Sequence, residues 1–124
     1  MSTALRRSSY LSDQLMSEHE AQRVRTLQEL GQSLRRFPRD AEASAFSSLL
    51  HDAQLVLELS DVDLARMLGV SRPTIGRWAR GDSAPHPLGR GPVFEVLAEI
   101  AEERLKRHLA DQNRYVRRSA VAAQ

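Results

Sequence analysis

Apolar residues recur at helical spacing in five blocks along the 124-residue chain. Leu15, Met16, Val24, Leu27, Leu30, Leu34 and Phe37 mark a first helix over about Ser12 to Phe37. Phe46, Leu49, Leu50, Ala53, Val56 and Leu57 mark a second over Ala45 to Leu59, with Asp40 as its expected cap. Two short blocks follow, one over Asp61 to Leu68 and one over Ser71 to Arg80. Pro85 to Pro92, with Gly89 and Gly91, reads as a loop, and Pro92 suits the first position of a last helix. That helix carries Val93, Val96, Leu97, Ile100, Ala101 and Leu105 on one side. Its other side carries Glu95, Glu99, Glu102 and Glu103, a solvated face. The expected fold class is all-α: a small helical bundle with an extra N-terminal helix.

The two short blocks are the most informative part of the chain. Ser60 with Asp63 has the form of a capping box. Gly69 supplies a residue that takes the left-handed conformation at the end of a helix, and Ser71 caps the next one. Pro73 falls in that helix's first turn, where a missing N–H loses no helical bond. Leu64, Ala65, Leu68 and Val70 form an inward side on the first helix and turn; Ile75, Trp78 and Ala79 form one on the second. The opposite face of the second helix holds Arg72, Pro73, Gly76, Arg77 and Arg80, a cationic ridge that Gly76 is expected to keep low. Two short amphipathic helices joined by a tight glycine turn are the pattern of a DNA-reading helix-turn-helix.

Leu64, Ala65, Leu68, Gly69, Val70, Ile75 and Trp78, with Gly81 and Pro85 in the exit loop, resemble the helix-turn-helix of the Cro and lambda-repressor type, the Xre family. The resemblance implies a regulator of prokaryotic or phage type whose second helix lies in the major groove, N-terminal residues towards the bases. On that footing Arg72, Pro73 and Arg77 are the expected base-reading residues. An arginine fork on guanine O6 and N7 supplies about 1–3 kcal/mol of discrimination. Ser71, Thr74, Gly76, Arg80 and Arg90 are expected at the DNA backbone or in support of it. Two positions depart from the pattern. Asp61 stands where the family commonly has glutamine and is expected to serve the helix dipole instead, and Ala79 stands where an acidic residue is common.

Net charge is only +2, but its distribution is uneven. Residues 40–63 hold six acids and no Arg or Lys; residues 64–91 hold five arginines and one acid. Positive charge therefore gathers where such a motif would meet phosphate. Of the 18 Lys and Arg, 17 are arginine, which reflects base composition of a genome as readily as function. No run approaches 18 apolar residues, and no signal-peptide pattern is visible. The lack of cysteine fits a reducing cytoplasm, and the expected location is cytoplasmic and nucleoid-associated. His19, His51, His86 and His108 are scattered, so no metal site is expected. Nor is a catalytic group or a cofactor: the chain shows no nucleophile motif, phosphate-binding glycine loop or buried carboxylate pair.

Three regions are expected: residues 1–39 as a helical extension, 40–110 as the DNA-binding domain, and 111–124 as a basic flexible tail containing Arg114, Tyr115, Arg117 and Arg118. Val24, Leu27, Gly31 and Leu34 fit a short heptad pattern. The first helix either packs on its own domain or uses Val24, Leu27, Leu30, Leu34 and Phe37 to meet a twin or another protein. Half-sites for this kind of motif lie roughly 34 Å apart, so a dimerising element is expected somewhere. The sequence thus points to a sequence-specific binder of double-stranded DNA, a repressor-like homodimer on a palindromic operator. An antitoxin or adaptor acting through the N-terminal helix, and an architectural DNA protein, are the alternatives.

Overall fold

The computed structural model describes residues 2–38 and 40–122, with side chains described for 17–38, 40–114 and 117. Five helices account for its regular structure: α1 (Ser2–Arg36), α2 (Ala43–Leu57), α3 (Asp61–Leu68), α4 (Arg72–Arg80) and α5 (Pro87–Ala122). The expected contributions of the Leu15, Met16, Tyr115 and Arg118 side chains lie outside the described residues.

The ends of these helices have local causes. No proline or glycine interrupts residues 2–30, and α1 starts at Ser2, well before the expected Ser12. It stops at Arg36 because Pro38 steers Phe37 out of the helical region. The second helix is capped by the extended backbone of Glu42, which makes no side-chain cap bond, and not by Asp40. It ends at Leu57, where Glu58 adopts a left-handed φ of 53°. The Leu59 N–H then donates to the Gln54 carbonyl at 3.0 Å, and the Glu58 N–H to that of Leu55 at 3.3 Å. This closure turns Leu59 into the core, where the helical pattern had placed it as the last residue of the helix.

Helix α5 begins at Pro87 and carries Pro92 inside it, correcting the expectation that Pro92 opens the helix. Pro87 is a suitable first residue because its absent N–H has no helical partner. His86 Nδ1 accepts from the Leu88 N–H at 3.2 Å. Pro92 deprives the Leu88 carbonyl of its helical donor, and Leu88, 74% exposed, has solvent to replace it. At its other end α5 continues to Ala122, so the segment from 111 expected as a flexible tail forms its last turns.

The core joins all five helices. Phe46, Leu50, Ala53 and Leu57 of α2, Leu64 of α3, Ile75 of α4, and Leu97, Ala98 and Ala101 of α5 are fully buried. Rings form a chain through it: Phe37 meets Phe94 edge-on at 4.7 Å between centroids, Phe94 stacks on Phe46 at 5.0 Å, and Trp78 meets Phe46 edge-on at 6.0 Å. Helices α1 and α5 run antiparallel against each other, as the pairs Phe37 with Phe94, Arg35 with Glu102 and Glu20 with His108 require.

Leu27, Leu30 and Leu34 belong to this same core. Of the two uses expected for this face, packing on its own domain or meeting a twin or another protein, the fold uses Leu27, Leu30 and Leu34 for the first, with α5 packed along α1. Val24 is half-buried, and Phe37, also half-buried, packs against the core. Arg35 adds a two-pronged ion pair to Glu102, Nε to Oε1 at 2.9 Å and Nη2 to Oε2 at 3.0 Å. The hydrogen bond from Arg35 holds the Glu102 carboxyl below its ordinary range.

Because Phe46 touches the ring stack, α4 and α5 together, Phe46→Ala is expected to lower unfolding free energy by about 3–5 kcal/mol. Urea denaturation of both proteins measures this.

Candidate nucleic-acid interface

The α3–turn–α4 unit is fixed by a stop or start signal at each end. Ser60 Oγ accepts from the Asp63 N–H at 3.1 Å while Asp63 Oδ2 accepts from the Ser60 N–H at 3.2 Å, a complete capping box. Gly69, at φ 68°, closes α3, and the Val70 N–H returns to the Ala65 carbonyl at 3.1 Å. Ser71 Oγ then caps α4 by accepting from the Thr74 N–H at 3.3 Å. Gly81, at φ 80°, closes it, with the Asp82 N–H on the Arg77 carbonyl at 2.9 Å. Only glycine takes these two left-handed positions without strain, so both turns are written in the sequence.

Inside the unit Leu64 and Ile75 are fully buried, while Trp78 is half-buried. This packing sets which side of α4 faces outward. Arg72, Pro73, Arg77 and Arg80 are exposed there, with Thr74 half-buried among them. Arg77 Nη2 donates to Thr74 Oγ1 at 3.3 Å, and that hydroxyl lies 2.7 Å from Ser71 Oγ. Arg80 is held differently: its Nε donates to Asp82 Oδ2 at 3.1 Å. Asp82, only two residues beyond Arg80, was within reach of a sequence reading as its partner but was not singled out.

Two residues expected at the DNA face sit elsewhere. Gly76 is buried, and a Cβ there would meet Arg80 Nη1 at 3.2 Å and Asp61 Oδ2 at 3.7 Å. It faces the start of α3 and lets the Arg80 side chain lie flat, so it does not form part of an open ridge. Arg90 is 7% exposed. Its Nε donates to the Pro85 carbonyl at 3.1 Å, its Nη1 donates to the Ala41 carbonyl, and its guanidinium lies 5.9 Å from the Phe46 ring centroid. Arg90 therefore ties the exit loop and the α1–α2 connection to the core, where a phosphate has no access.

Asp61 bonds across elements: its Oδ1 accepts from Gln54 Nε2 of α2 at 2.8 Å, bracing α2 against the start of α3. Ala79 is half-buried. Arg104 of α5 donates to the Leu57 carbonyl at the end of α2, where helical donors run out. Neither Gln54 nor Arg104 carried a sequence signal, because each acts on a residue brought near only by folding. Among the described residues no helix is long and apolar enough to cross a membrane, and no group of three or more His, Asp or Glu is arranged to hold a metal ion.

The helix-turn-helix family matches residues 57–88, from the last residue of α2 into the first turn of α5. That span contains both caps, both glycine turns and the outward face of α4. Over residues 57–88 the chain is similar to that helix-turn-helix family. The family is a DNA-binding one, and the match covers about a quarter of the chain. No curated protein and no solved structure matches the chain.

Two measurements follow for the helix-turn-helix. The hydroxyl and N–H of Ser60 hold the Asp63 carboxyl below the ordinary aspartate value. A depressed folded-state pKa contributes stability above the unfolded carboxylate range of about 4, and that contribution is lost as pH falls through the folded value. Asp63→Asn is therefore expected to flatten the acid limb of a melting-temperature curve run from neutral pH to about 3. Arg90→Ala removes donors from two backbone carbonyls and is expected to cost about 2–3 kcal/mol in a denaturant titration. With the variant kept below its melting point, the salt dependence of its DNA binding should match that of the wild type.

Proposed function

We propose that this protein is a sequence-specific regulator that binds double-stranded DNA and represses transcription as a homodimer on a palindromic operator. The observation that carries this reading is the pair Arg72 and Arg77, both exposed on the outward face of a helix whose start, end and rotation are fixed by caps and core packing. Each exposed guanidinium fork is matched to O6 and N7 of one guanine in the major groove. Arg72 and Arg77 read bases, and Pro73, which has no donor, offers an apolar surface to a thymine methyl. Ser71 and Thr74 line the same end of the helix. Arg80 reaches phosphate only by leaving Asp82, so its contribution to affinity is smaller than its charge suggests.

The burial of Leu27, Leu30 and Leu34 in the chain's own core bears on the alternatives. It withdraws the principal support for an adaptor or antitoxin gripping a partner through that stretch of α1. For the same reason the homodimer contact lies on other surfaces. An architectural DNA protein would use the same arginines with little base preference, so base preference is the deciding property.

Genomic fragments captured by the full chain at physiological salt and sequenced are expected to share a palindromic motif. Arg77→Ala should blur that motif at one base pair in each half-site, with a loss there of about 1–3 kcal/mol. Recovery of fragments with no shared motif would overturn the specific-regulator reading in favour of an architectural one.

A further inference from the structure

The two arginines proposed to read bases are held differently. Arg72 has no hydrogen-bond partner among the described side chains, whereas Arg77 is tied back to its own helix through Thr74. The chain of contacts has a fixed anchor. Ser71 Oγ is positioned by accepting the Thr74 N–H at 3.3 Å, and it lies 2.7 Å from Thr74 Oγ1, which in turn accepts from Arg77 Nη2 at 3.3 Å. Thr74 and Arg77 are three residues apart, the spacing at which side chains of one helix face meet. Thr74 is β-branched, so its hydroxyl has few rotamers, and the short contact to Ser71 selects one of them. An arginine in solvent otherwise carries about 2 kcal/mol of rotamer entropy, which a fork must give up on reaching a base.

From this geometry we propose that Thr74 is a positioning residue for base readout: its hydroxyl, anchored on Ser71, pre-orients the Arg77 guanidinium. The proposal rests on the reading of Arg77 as a base-contacting residue and adds what sets its aim. Arg77 has five N–H donors, and the bond to Thr74 uses one, leaving the others for guanine O6 and N7. Pre-ordering lowers the entropy lost on binding, and it applies only where Arg77 finds its correct acceptors. The effect therefore falls on discrimination at one base pair and leaves the phosphate-driven, salt-dependent part of affinity unchanged.

Thr74→Val tests this in the full chain. It keeps the shape and the backbone N–H that Ser71 caps but removes the hydroxyl; Thr74→Ser restores it. The probe is a synthetic duplex library with a randomised centre, from which the wild type selects its preferred duplex, followed by titration of that duplex and its single-base-pair variants at two salt concentrations. Thr74→Val should reduce discrimination at the Arg77 base pair by about 3- to 10-fold, with the salt slope unchanged and Thr74→Ser close to the wild type. In the DNA-free protein, 15N relaxation at Arg77 Nε should show a lower order parameter in Thr74→Val than in the wild type. Equal order parameters and equal discrimination, with Arg77→Ala still losing it, would overturn the positioning role while leaving the DNA-reading function intact. No loss in Arg77→Ala, or no selected duplex at all, would remove the base-reading role and the proposal with it.

Discussion

The ring of Phe46 is where α2, α4 and α5 meet. It stacks on Phe94 of α5, receives the edge of Trp78 from α4, and lies beneath the guanidinium of Arg90, whose donors hold the loops on either side. Phe94 passes the contact on to Phe37 at the end of α1. Aromatic rings supply large buried area with defined relative geometry, so this stack both drives burial and fixes angles. The direction in which α4 presents its arginines is thus set by a residue of α2, through Trp78. The cationic face is exposed because the apolar face is held.

The terminal helices make that platform stiff. Leu27, Leu30 and Leu34 of α1 close the core from the side away from α4, and the Arg35–Glu102 fork braces α1 along α5. A helix-turn-helix of about 30 residues has too little apolar surface to hold itself rigid. Here α2 supplies the missing surface, and α5 and α1 back α2. Carbonyls left over at irregular joints are satisfied by long arginines from α5, Arg90 at the two loops and Arg104 at the end of α2. Several of the chain's many arginines are therefore structural donors, and counting positive charge along the sequence overstates what is free to meet phosphate.

Local signals in the sequence translated faithfully. The capping box at Ser60, the left-handed turns at Gly69 and Gly81, and the cap at Ser71 involve neighbours in the chain, and α3 and α4 have the expected span. Proline was harder to place: Pro87 and Pro92 both suit the start of a helix, and the choice fell to Pro87 because His86 caps the Leu88 N–H. The apolar period of α1 was legible, but periodicity states only that a face is buried. It does not state against what, and the heptad-like spacing of Leu27 and Leu34 served packing on α5.

Gly76 and Arg90 mark the boundary most clearly. From sequence, both belonged to a face or segment rich in arginine, and both were placed at the DNA. In the folded chain Gly76 lies under Arg80 beside Asp61, and Arg90 is inside. By itself, the sequence determined the helix-turn-helix: the helices, their caps, the turns, and the arginines Arg72 and Arg77 on the outward side of α4. These depend on interactions a few residues apart, which the order of residues specifies directly. The tertiary structure alone decided that Arg90 and Arg104 are spent on backbone carbonyls, that Asp61 bonds to Gln54, and that α1 is part of the core. Those outcomes depend on which distant surfaces come into contact, and an arginine has the same charge and reach whether it meets a phosphate, a carboxylate or a carbonyl.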